Sequence, residues 1–130
     1  MKKALETIDV IRDIENIVHD LPGVKITIYS EEDYTMLKIN NNDDREIVIL
    51  DLRSAVGKGM IIMNNLKMSL KSPYIVVISN INTDDFRERC RKLGADYFFD
   101  KKREMHEFGK FLTKHLHIHK NSKAFDASIV

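Results

Sequence analysis

The chain has 130 residues, 43% of them hydrophobic and 32% charged, with 21 Lys and Arg against 20 Asp and Glu for a formal net charge of +1. That is enough for one domain around one buried core, and it excludes a mainly disordered chain. The near-cancelled charge calls for neither nucleic acid nor a membrane as partner, so no DNA and no membrane contact is expected. The single cysteine, Cys90, cannot form an internal disulfide, and no Cys/His set has zinc spacing. Apolar runs of about five residues fall far short of a bilayer span. The basic start, Met1-Lys2-Lys3, has no apolar stretch behind it, and a cytoplasmic setting is the expectation.

Leu5, Ile8, Ile11, Ile14 and Ile17 recur every third residue, with charges opposite, which predicts an amphipathic helix to about Asp20, stopped by Leu21-Pro22-Gly23. Val24 to Tyr29 alternates strictly and reads as a strand with one buried face. Ser30-Glu31-Glu32-Asp33 suits a helix N-terminus, so a short helix is predicted through Ile39. Ile47-Val48-Ile49-Leu50 and Tyr74-Ile75-Val76-Val77-Ile78 are unbroken apolar runs, the pattern of parallel strands covered on both faces. Between them Met60 to Leu70 is apolar at helical spacing. Asn82-Thr83 caps a helix carrying Phe86, Cys90 and Leu93 and closed by Gly94; Ala95 to Phe99 is a last strand, and Glu104 to Leu116 a last helix. The resulting α-β-α-β-α-β-α-β-α order predicts an alternating α/β domain over 1–119 with a parallel sheet. Residues 120–130 show no period and read as a flexible tail.

Ligands of open parallel sheets bind beyond the carboxyl ends of the strands. Asp51, Ser79 and Lys101 lie at three such ends. A carboxylate, a hydroxyl and an ammonium on one rim make a small phosphoryl site, the carboxylate as nucleophile or metal ligand and the others on phosphoryl oxygens.

Three stretches give the chain a family resemblance: Ile47 to Arg53 around Asp51, with Gly59 eight residues on; Ile75 to Asn80 around Ser79; and Phe86 to Lys101, which contains Cys90-Arg91-Lys92-Leu93-Gly94-Ala95-Asp96-Tyr97-Phe98-Phe99-Asp100-Lys101. Over about residues 10–113 it resembles a stand-alone response-regulator receiver domain of two-component phosphorelay signalling. The resemblance implies a flavodoxin-like (CheY-like) doubly wound sheet in the order 2-1-3-4-5. It implies a phosphoprotein whose Asp51 accepts a phosphoryl group from a histidine kinase or phosphotransfer protein. Ser79 is then the switch hydroxyl, Phe98 the switch aromatic and Lys101 the partner of the phosphoryl oxygens. A downstream protein reads the changed surface. Magnesium would be held by Asp51, Glu6 and the backbone carbonyl of Arg53. Such a protein is no enzyme beyond self-catalysed phosphotransfer and dephosphorylation.

The N-terminal stretch departs from that pattern. Receivers open with an apolar strand ending in two adjacent acids; here Lys2-Lys3-Ala4-Leu5 stands in the strand's place, and Glu6-Thr7 in that of the acids. Two lysines suit a buried strand poorly, so the first strand is expected to be short, degenerate or missing, and the magnesium weak or absent. A missing strand also favours strand exchange or a homodimer. The alternative function is therefore a degenerate pseudo-receiver, a protein-interaction module that works without phosphorylation. His115, His117 and His119 alternate at the end of the last helix, where they suit the helix dipole more readily than a metal.

Overall fold

A computed structural model describes residues 12–16, 19, 21–41 and 45–116. Residues 12–16 are helical (α1), and the chain continues through β1 (Val24–Ser30), β2 (Tyr34–Asn41), β3 (Ile47–Leu52), α2 (Lys58–Lys67), β4 (Tyr74–Ser79), α3 (Asp84–Leu93), β5 (Tyr97–Asp100) and α4 (Met105–His115). The architecture is α/β, built on one mixed sheet. Among the described residues no helix is long and apolar enough to cross a membrane.

The sheet runs β1-β2-β3-β4-β5, which corrects the expected order 2-1-3-4-5. β1 pairs β2 and β2 pairs β3 antiparallel, whereas β3/β4 and β4/β5 are parallel. The expected helix through Ile39 is also corrected, because that segment is β2. Ser30 to Asp33 forms a turn, closed by Glu31 N–H donating to the Tyr34 carbonyl at 2.8 Å, and an antiparallel return needs no more than that. In β2, Leu37 and Ile39 join the core on one face of the sheet, and Tyr34 and Met36 the core on the other. Complete burial of an Ile or Leu side chain contributes about 1.5–3 kcal/mol, which outweighs helix preferences of at most about 0.7 kcal/mol per residue. The place beside β3 is thus taken by a hairpin strand. Residues 2–5, expected there, and the tail 120–130 lie outside the described residues. The alternating strand does lie at the sheet's edge, and the two unbroken apolar strands lie inside it, as expected.

Helices cover both faces. Ile14 of α1 and Phe108, Phe111 and Leu112 of α4 pack on Leu37, Ile39, Ile47, Ile49, Val76 and Ile78. Met60 and Met63 of α2 and Phe86 and Cys90 of α3 pack on Val48, Leu50, Ile75 and Val77. Odd residues of β3 and even residues of β4 therefore face α1 and α4, by the two-residue period of a strand.

The ends of α3 follow from its sequence. The Thr83 hydroxyl accepts from Phe86 N–H, Asp84 and Asp85 occupy the first turn, and Arg91 and Lys92 the last. Gly94 ends it at φ +123°, where a Cβ would lie 2.8 Å from the Lys67 Cβ. α2 has no side-chain cap from its own N-cap residue, Gly57. Instead Asp33 in the β1–β2 turn accepts from Lys58 N–H at 3.0 Å. The acid expected to begin a helix does so, but for a helix 25 residues further on.

Candidate functional site

Asp51, near the end of β3, and Lys101, just beyond β5, meet at the carboxyl rim of the parallel strands. The Lys101 Nζ lies 3.1 Å from Asp51 Oδ2, with the two side chains 5% and 1% exposed. Two groups aim the lysine. Its backbone N–H donates to the Ser79 carbonyl at 2.9 Å, tying the end of β5 to that of β4. Behind it, buried Asp100 accepts from Lys102 N–H at 2.9 Å and from the Asn82 amide at 3.1 Å. The Lys102 bond leads in holding the Asp100 carboxyl below the ordinary carboxylate range, against the opposing effect of burial. Glu104 closes the turn, accepting from Asp100 N–H at 2.9 Å and from the Arg87 guanidinium of α3 at 2.8 Å. The Arg87 bond is the chief reason its carboxyl is also held low.

Ser79 is fully buried at the end of β4, but its hydroxyl does not reach Asp51. It donates to the Leu52 carbonyl at 2.6 Å and accepts from Ile81 N–H at 3.0 Å. Strand alternation places it with Ile75 and Val77 on the α2/α3 face, and Asp51 with Ile47 and Ile49 on the other. Phe98 shares the Ser79 face. Its ring meets Phe86 edge-on at 5.8 Å and lies under the Arg87 guanidinium at 4.7 Å. The structure therefore joins Asp51 with Lys101 and sets Ser79 and Phe98 apart from that pair.

The sequence did not reveal the neighbour contributed by β2. Thr35 stands directly across from Asp51 in the β2/β3 ladder and is itself buried. Its hydroxyl accepts from Arg53 Nη1 at 2.9 Å and shares a 3.1 Å hydrogen bond with the Ser30 hydroxyl. The rest of the Arg53 guanidinium grips the turn, donating to the Glu32 carbonyl at 3.2 Å and the Glu31 carbonyl at 2.5 Å. Arg53 N–H adds a bond to the Asp33 carbonyl at 3.0 Å. Lys58 pairs with Glu31 at 3.3 Å, so it serves the turn and not the Asp51 carboxylate. A two-strand reading of residues 24–41, with turn-forming Ser30–Asp33 between, is the signal that would have placed these groups.

Magnesium requires several hard oxygens in near-octahedral geometry. Among the described residues, no group of three or more His, Cys, Asp or Glu is arranged to hold a metal. Asp51 is engaged by Lys101, Asp33 caps α2, and Glu6 lies outside the described residues, so the described side chains do not fit the ion as a set. His117 and His119 also lie outside them; His115 stacks on Phe111 at 4.1 Å, with its Nδ1 3.0 Å from the Phe111 carbonyl. Cys90 is buried in the α2/α3 core, and burial pushes its thiol up to about 11.

No protein-family model, curated protein or solved structure matches this chain.

Proposed function

We propose that this chain is a receiver-like signalling module in which Asp51 accepts a phosphoryl group. The observation that supports the reading is the buried Asp51–Lys101 pair at the carboxyl rim of a β3-α2-β4-α3-β5-α4 unit wound as in flavodoxin-like folds. A carboxylate oxygen of Asp51 attacks the phosphorus of a phosphohistidine on a histidine kinase or phosphotransfer protein. The P–N bond breaks, the imidazole nitrogen keeps the electron pair and takes up a proton, and an acyl phosphate forms. The Lys101 ammonium, already beside the carboxylate, offsets the charge the phosphoryl oxygens bring. Release of the present ion pair would then be felt at the β5–α4 turn, which Glu104 and Arg87 link to α3, and so at the surface a downstream protein would read.

Intact-mass spectrometry tests this, with wild type and Asp51→Asn incubated in parallel with acetyl phosphate, with and without magnesium. One phosphoryl group on wild type alone is the expected result. No label on folded wild type, or equal label on both proteins, would sink it.

A second reading is favoured by one observation, the nearly complete burial of Asp51 under Lys101. On that reading the pair is structural, and the chain is a pseudo-receiver that binds its partner without phosphate. Partner capture by Asp51→Asn equal to that by wild type, with no labelling of wild type, is its signature.

A further inference from the structure

The outer edge of β1 is paired with no strand among the described residues. Its hydrogen-bonding parity follows from the turn. Glu31 and Tyr34 form a bonded pair, so Tyr29, Thr27 and Lys25 bond inward to Met36, Lys38 and Asn40. The N–H and C=O groups of Val24, Ile26, Ile28 and Ser30 therefore point outward. Edge strands are normally blunted by shortness, charged side chains such as lysine, proline, a bulge or a covering segment, and of these β1 carries a single charge, Lys25, near its start. β1 is seven residues long, has no proline, and keeps unbroken register with β2 from Val24 to Ser30. It also exposes two large apolar side chains, Ile28 at 40% and Tyr29 at 60%.

The strand is complementary to itself. Laid antiparallel on a copy with Thr27 on the two-fold axis, Ile26 falls opposite Ile28, Lys25 opposite Tyr29, and Val24 opposite Ser30. The bonded pairs of that register are the even-numbered residues, whose backbone groups are the ones pointing outward. One sheet face then matches isoleucine with isoleucine. The other sets an ammonium beside an aromatic ring, with no like charges opposed. A one-residue shift of register would set inward-bonded residues against the outward-pointing ones, and of the alignments that parity allows, the one about Thr27 pairs all seven residues of the strand.

We propose that this chain forms a homodimer through β1, pairing it antiparallel with β1 of a second copy about Thr27, so that the two five-stranded sheets become one. A two-fold axis requires the same patch on both sides, and β1 supplies a pattern symmetric about its middle residue. This inference is independent of the chemistry assigned to Asp51.

Sedimentation equilibrium on the full chain is expected to read twice the 15.1 kDa chain mass. Ile28→Pro removes an outward N–H and the isoleucine set opposite Ile26 while sparing the backbone bonds to β2, and is expected to halve that mass with the circular dichroism unchanged. Thr27→Cys gives a register test should the proline variant fail to fold. Thr27 faces itself as a non-bonded pair with Cα atoms about 4.5 Å apart, within reach of a disulfide. It should oxidise to a covalent dimer many-fold faster than Tyr29→Cys, whose partner is Lys25, while Cys90 stays buried. A monomeric wild type, a dimer that a folded Ile28→Pro leaves intact, or equal cross-linking at positions 27 and 29 would each overturn the proposal.

Discussion

Lys101 reaches past β4 to Asp51, joining the end of β5 to that of β3 through a 3.1 Å ion pair that is almost fully out of water. Breaking a buried pair by removing one member costs about 3–5 kcal/mol, because the other's charge loses its closest compensation. Lys101→Met is therefore expected to lower the unfolding free energy by roughly that amount in urea titration. Adding Asp51→Asn to Lys101→Met should recover part of the loss, and the double-mutant cycle measures the coupling.

Ser79→Ala removes a fully buried hydroxyl that serves the Leu52 carbonyl and Ile81 N–H at once. Leaving both backbone groups without it should cost about 1–3 kcal/mol, read as a shift of the denaturation midpoint with an unchanged slope.

Acid should weaken the β5–α4 turn. Asp100 and Glu104 have carboxyls held below their ordinary values, by the Lys102 N–H and the Arg87 guanidinium respectively. A carboxyl depressed in the folded state contributes stability that is present above its unfolded value of about 4 and lost as pH falls through the folded one. Urea midpoints measured from neutral pH downward should therefore fall below about pH 4, and Glu104→Gln should flatten that acid limb while lowering the neutral-pH plateau.

Cys90 should ignore thiol reagents in the native protein at mildly alkaline pH. It is buried and its thiol is pushed up to about 11, so little thiolate is present and none is accessible. Ellman's reagent is expected to titrate one thiol only after denaturant is added.

Gly94→Ala should cost about 1–3 kcal/mol, because φ is +123° and the new methyl would press on the Lys67 side chain. Thermal unfolding measures it, and the expected change is a lower midpoint with the native spectrum intact.

What could be read from the residues was whatever depends on local pattern. β3 and β4 declared themselves through β-branched runs buried on both faces, and α3 through Thr83 and Gly94. β2 did not, because Tyr34, Thr35, Met36 and Leu37 are all buried and the strand shows no two-residue alternation. The acids before it looked like a helix start, and which helix Asp33 caps depends on a contact across 25 residues that no local period carries. Asp51 and Lys101 were legible as strand-end residues. Thr35 and the Arg53 grip depend on register, and the separation of Ser79 from Asp51 depends on which face each strand end presents.

The meander of β1, β2 and β3 also bears on how the chain assembles. Its strands are joined by the turn after Ser30 and the link between Asn41 and Ile47, whereas Ile47 finds Tyr74 and Val76 finds Tyr97 only after a helix has been laid between them. Closing short loops costs less entropy than closing long ones, so the three antiparallel strands are expected to form before β4 and β5 join them. During synthesis that meander leaves the ribosome before β4 and β5, so each later strand has a neighbour to dock on. Asp33 and Arg53 stand ready at its rim, so α2 is capped on arrival and the rest of the sheet grows in one direction, away from β1.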